Sequence, residues 1–135
     1  MGEILTAKEF KEEVIKNITN SNYISIRVLV LNFYGFFLEN TVTSIDINKD
    51  DKTITLSNYQ YYAEEDNING NVDELLEELS DEYDDYTMSV KFVTATFNGY
   101  EAKTIVSTPL YPGLSCVYSD HAGIVIGTTV SKLDI

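Results

Sequence analysis

The sequence predicts an α+β fold, two amphipathic helices packed on mainly antiparallel β-sheet, within a single domain over residues 1–135. Three observations carry that expectation. Apolar residues recur every three or four positions near the N-terminus and again over 71–86, the spacing of helices with one buried face. Elsewhere β-branched and aromatic residues alternate with polar ones between turn-forming dipeptides, as half-buried strands do. At 135 residues and 44% hydrophobic content, the chain can bury about two-thirds of its unfolded surface in one core.

The first helix starts at Thr6. Its hydroxyl and Glu9 make a capping box, Leu5 can staple onto Phe10, and Phe10, Val14, Ile15 and Ile18 supply the apolar stripe. Lys8, Lys11 and Lys16 balance Glu9, Glu12 and Glu13, and Asn17, Asn20, Ser21 and Asn22 break the helix. Residues 23–31 read as a strand whose only charge is Arg27; Gly35 turns the chain, and 36–47 continues extended. Residues 44–47 and 53–56 alternate on either side of 48–52, which is a hairpin. The loop 57–70 then carries Tyr59, Tyr61 and Tyr62, followed by Glu64, Glu65 and Asp66, and closes on Asn69-Gly70.

The second helix, expected over 71–86, is the chain's strongest physical oddity. Asn71 and Glu74 have capping-box spacing, and Val72, Leu75, Leu76, Leu79 and Tyr83 form the buried stripe. Around them stand Asp73, Glu74, Glu77, Glu78, Asp81, Glu82, Asp84 and Asp85, with no Lys or Arg between Lys52 and Lys91. Five like-charge pairs lie four residues apart (Asp73/Glu77, Glu74/Glu78, Glu77/Asp81, Glu78/Glu82, Asp81/Asp85). At about 0.2–0.5 kcal/mol each, they amount to roughly 1–2.5 kcal/mol of self-repulsion. Carboxylates at the C-terminal end also oppose the helix dipole.

Residues 88–97 and 100–106 pair about Asn98-Gly99, a strong hairpin signal; Pro109 and Pro112-Gly113 force a loop. A last hairpin joins 114–118 to 123–128 about 119–122. The two halves, 5–62 and 70–130, align as pseudo-repeats, a duplicated αβββ unit. Thr6, Glu9, Phe10, Val14 and Ile18 correspond to Asn71, Glu74, Leu75, Leu79 and Tyr83, and Ser25, Phe33, Gly35 and Val42 to Ser89, Phe97, Gly99 and Val106.

A net charge of −13 argues against nucleic acid or an anionic membrane as a direct ligand and favours a basic protein. One cysteine excludes an internal disulfide, and the start of the chain has neither a basic nor an apolar leader region, so a cytoplasmic location is expected. Cys116 and His121 flank a short turn, and a Cys/His pair can make an activated thiolate; the two positions fall on opposite strand faces, which argues for an inert core thiol. Two segments loosely match calcium loops, about Asp46 and about Glu65, but each lacks the bidentate acid in its place, so neither metal nor cofactor is expected.

What remains is an interface. Fourteen helical residues rise about 21 Å, so eight carboxylates give one charge per about 2.6 Å, against about 1.7 Å along duplex DNA. Tyr59, Tyr61, Tyr62 and Tyr86 lie among the acids, and tyrosine supplies contact area at small entropic cost. The expected partner surface is these four tyrosines with Glu64, Glu65, Asp66, Asp73, Glu74, Glu77, Glu78, Asp81, Glu82, Asp84 and Asp85. The expected role is non-enzymatic. It is an acidic inhibitor occupying the nucleic-acid-binding surface of a basic partner, analogous in charge arrangement to DNA-mimicking anti-restriction or anti-CRISPR proteins. An immunity protein for a toxin nuclease, a phage or plasmid structural component, and an enzyme using Cys116 and His121 are the alternatives.

Overall fold

In the computed structural model, residues 3–18, 21–31, 36–59, 68–95, 102–113 and 116–133 are described. Helix α1, Ala7–Lys16, starts where the sequence places it: Thr6 Oγ1 accepts from the Glu9 amide and the Glu9 carboxylate accepts from the Thr6 amide, completing the capping box. Such a cap contributes about 1 kcal/mol. Its buried face is Ala7, Phe10 and Val14, with Leu5 tucked in ahead of it. Ile15 and Ile18, expected in that stripe, are exposed. The helix ends at Lys16, so Ile18 lies past its last turn, and Ile15 points around from the face that Phe10 and Val14 share.

Among the described residues eight strands form two four-stranded sheets. They are β1 (Ile24–Val30), β2 (Phe37–Thr41), β3 (Ser44–Asn48), β4 (Thr53–Ser57), β5 (Thr87–Ala95), β6 (Ala102–Pro109), β7 (Val117–Asp120) and β8 (Gly123–Val130). One sheet has the order β2-β1-β8-β7 and the other β3-β4-β5-β6. The fold is α+β, as the sequence predicts. Each sheet joins two antiparallel hairpins through a parallel central pair, β1 with β8 and β4 with β5. Pro109 is the last residue of edge strand β6 rather than part of a loop, a position where its missing N–H breaks no interior ladder.

Alternation sorts the side chains. Along β1, Ile24, Ile26, Val28 and Val30 are buried while Ser25, Arg27 and Leu29 take the other face. Their buried partners include Ile54 and Leu56 of β4, Met88 and Val90 of β5, and Ile124 and Ile126 of β8, so one core draws on both sheets and both helices. A fully buried side chain of this size contributes about 1.5–3 kcal/mol. β5 and β6 shift register between Phe92 and Val93, and on the opposite edge of β5, just past the end of β4, the Asn58 carboxamide donates to the Val93 carbonyl at 2.9 Å and accepts from its amide at 2.7 Å.

The second helix is shorter than the sequence pattern. Helix α2 is Val72–Glu78; Leu79 and Ser80 leave it, and a 3₁₀ turn, Asp81–Tyr83, follows. Asn71 caps α2 by accepting from the Asp73 and Glu74 amides, but its own N–H goes to the Ile68 carbonyl at 2.8 Å, so Glu74 completes no capping box. Of the five like-charge pairs, only Asp73/Glu77 and Glu74/Glu78 remain within the helix. The break also puts Asp81 and Glu82 in the first turn of a new helical segment, where the dipole favours acids.

Each half has one strand more than the expected αβββ unit, because 36–47, expected as one extended run, divides into β2 and β3 in the first half and β5–β8 follow α2 in the second; exchanging β1–β4 for β5–β8 converts one sheet order into the other. The docking bonds match as well. Thr6 bridges Thr87 as Asn71 bridges Tyr23, and the Ala7 amide donates to Tyr86 as the Val72 amide donates to Asn22, at 2.8 and 2.9 Å. Phe33, Gly35, Phe97 and Gly99, which the pseudo-repeat alignment used, lie outside the described residues.

Candidate partner-binding surface

Of the expected interface residues, Asp73, Glu74, Glu77, Glu78, Asp81, Glu82 and Asp85 are exposed, carried by α2 and the turn after it. The apolar residues of the same segment decide that orientation: Val72, Leu75 and Leu79 are sunk in the core, which leaves the carboxylates facing water. Cations from elsewhere meet part of the cluster. Lys11, on α1, reaches Asp84 at 2.7 Å and Asp81 at 3.3 Å; Lys52, beside the β3–β4 turn, reaches Asp85 at 3.3 Å; and Asn22 donates to Asp73 at 3.3 Å. The compensation that the local sequence lacks is supplied by tertiary contacts. Among the described residues no cation meets Glu74, Glu77, Glu78 or Glu82.

The tyrosines divide differently. Tyr86 is buried at 8% exposure, edge-on to Tyr83 with ring centroids 5.2 Å apart, so its ring is core and not contact surface. Its place just before β5, with its carbonyl holding the α1 N-terminus, turns it inward. Tyr59 is half-buried, and its carbonyl accepts from Thr43 Oγ1 at 2.6 Å. Tyr61, Tyr62, Glu64, Glu65 and Asp66 lie outside the described residues.

Cys116 and His121 are held apart at opposite ends of β7. Cys116 is buried, and burial, reinforced by the Glu13 carboxylate, pushes its thiol up to about 11. His121 is exposed in the turn before β8. This geometry gives no nucleophile–base pair. The segment at Asp46 is the β3–β4 hairpin itself, with Asn48 Oδ1 accepting from the Asp51 amide and Lys52 in the left-handed region. Among the described residues no cluster of three or more metal-ligating side chains occurs, and no helix is long and apolar enough to cross a membrane.

A second surface, not anticipated from the sequence, lies on the outer face of the β2-β1-β8-β7 sheet. Arg27 sits at its centre: Nε donates to Glu39 at 2.6 Å, Nη1 to the Tyr118 hydroxyl at 2.9 Å, and Nη2 meets Asp120 at 3.5 Å. Its guanidinium also lies over the Phe37 ring at 4.9 Å and the Tyr118 ring at 5.8 Å. Glu39 raises the affinity of Arg27 for its proton, and the Ala122 and Gly123 amides hold Asp120 below the ordinary carboxylate range. One signal in the sequence pointed here, a lone arginine at an outward position of an otherwise apolar strand. Its partners come from two other strands, β2 and β7, which alternation alone does not pair.

Comparison with protein-family models, with curated proteins and with solved structures finds no match.

Proposed function

We propose that this protein acts by binding a basic protein, setting the exposed carboxylates of α2 and the following 3₁₀ turn where that partner holds nucleic acid. The observation that carries the reading is the set Glu74, Glu77, Glu78 and Glu82, exposed within nine residues and met by no cation of the described chain. Acid placed this way repels itself and contributes nothing to the core, whereas a cationic partner turns the repulsion into attraction. A net charge of −13 extends that attraction beyond the contact surface and favours rapid encounter at low ionic strength. Asp73, Asp81 and Asp85 extend the same surface, while Asp84, tied to Lys11, belongs to the fold.

The test is affinity capture from a bacterial lysate at low salt, with a rising salt gradient and mass spectrometry of the eluate. One nucleic-acid-binding protein should come off as salt rises and be competed by DNA or RNA. The variant Glu74→Gln/Glu77→Gln/Glu78→Gln/Glu82→Gln should keep its melting temperature and lose at least roughly tenfold in affinity for that protein. Unchanged capture by a stable variant would refute the acidic surface as the contact.

A further inference from the structure

We infer that the outer face of the β2-β1-β8-β7 sheet is a second, independent docking site, which takes a large apolar side chain and a nearby cation from an extended protein segment. The row Glu39–Arg27–Asp120 divides this face into two recesses. On one side is a pocket of about 280 Å³ walled by Phe37, Leu29, Tyr118 and Thr129 over Gly127. That is below the about 300–1,000 Å³ of a site for a drug-sized molecule and suits a single side chain. On the other side is a groove of about 460 Å³ bounded by Tyr23, Ser25, Thr41 and the carboxylates of Glu39 and Asp120.

Gly127 is the strongest pointer. It lies in β8, a central strand, directly beside Arg27 in the parallel register, and its φ is not in the left-handed region, so its backbone does not require glycine. A glycine inside a strand weakens it unless something must approach closely. Here the absent side chain is the floor of the pocket. Around it the walls are wet: Leu29 is 36% and Phe37 50% exposed, and Leu31 and Phe36 beside them are exposed as well. Rings and an arginine gathered about a recess are the composition of binding hot spots.

Charge selects the occupant. Two carboxylates against one guanidinium leave the face at −1 on a chain of −13, which disfavours an anionic ligand and a second copy of this chain and favours a cation. The recesses are centred about four residues apart along β1, roughly 13 Å, which an extended segment spans with one apolar and one basic side chain four positions apart.

The test is an amide NMR titration with acetyl-Trp-Gly-Ser-Gly-Lys-amide. Shifts should centre on Gly127, Thr129 and Tyr118, and replacing Trp by Ala or Lys by Glu should weaken binding at least roughly fivefold. Gly127→Val should abolish the shifts while melting no lower than the parent, because valine fills the pocket and suits a strand. A Phe37→Ala variant checks the wall without touching the core. Glu77→Gln/Glu78→Gln should bind the peptide as the parent does, which separates this site from the acidic surface. No shift at Gly127, full binding by Gly127→Val, equal binding of the Glu peptide, or shifts confined to α2 would each overturn the inference.

Discussion

Cys116 shows how strongly position governs a residue's chemistry. In the chain it stands five residues from a histidine; in the fold it is buried at the head of β7, with its thiol pushed from 9.0 up to about 11. At pH 8 only about one native molecule in a thousand then carries the thiolate, the form that reacts. Alkylation by iodoacetamide at pH 8 should therefore be about a hundredfold slower for the native protein than for the chain in denaturant. The linkage has a definite sign: the folded state holds this proton more tightly, so its contribution to stability is complete below pH 9 and is lost as pH rises through about 11. Urea titrations at pH 8, 9.5 and 11 should show that loss, and Cys116→Ala should reduce it; native labelling as fast as unfolded labelling would contradict the buried thiol. Two nearby glycines repeat the lesson. Gly123 has φ +144°, and a Cβ there would run into the Tyr23 carbonyl, so the fold requires it, whereas the φ of Gly127 lies outside the left-handed region.

Elements set by neighbouring residues were legible in the sequence; those set by distant ones were not. The Thr6–Glu9 cap, the β3–β4 hairpin and the β7–β8 hairpin follow from residues within a few positions of one another, and all three form, the last with its turn at 121–122 because Ser119 and Asp120, expected in the turn, pair as strand. The break after α2 does not follow that way, because the lysine that draws on Asp81 comes from 70 residues earlier. Lys11 is largely covered, with 15% of its side chain exposed, and it clamps the 3₁₀ turn to α1 through Asp81 and Asp84. Lys11→Met keeps most of the buried stem and removes the charge, so the cost should be about 1 kcal/mol in denaturant unfolding, the size of a partly exposed ion pair. The loss should be local: hydrogen exchange should speed at the Tyr83, Asp84 and Lys8 amides, whose bonds go to Ser80, Asp81 and Asp84, and stay unchanged along β1. Uniform acceleration everywhere would make Lys11 a global support rather than a clamp. The acidic surface, meanwhile, was legible as charge but not as shape, since the sequence places eight carboxylates and only the fold shows which of them lysines already hold.

At the scale of the molecule, both sheets are shared between the halves of the chain. Each takes one hairpin from residues before α2 and one from residues after it, and the two are joined only by the parallel pairs β1–β8 and β4–β5. Parallel partners are the least visible in a sequence, because no turn connects them: Ile24 pairs with Ile124, a hundred residues on. The same pairings make the halves mutually dependent. Separated, each would expose the apolar faces of two isolated hairpins and one helix, and isolated hairpins are at best marginally stable in water. Joining such distant segments before their contacts form also makes folding slow for a chain of this length. Fragments 1–66 and 67–135 should therefore each give collapsed amide spectra alone and recover dispersed signals when mixed at one to one. The Gly127 and Arg27 amides should return together, since they are neighbours across the join. A dispersed spectrum from either fragment by itself would show that a half can close its own core, and the shared sheets would then be a consequence of the fold rather than its condition.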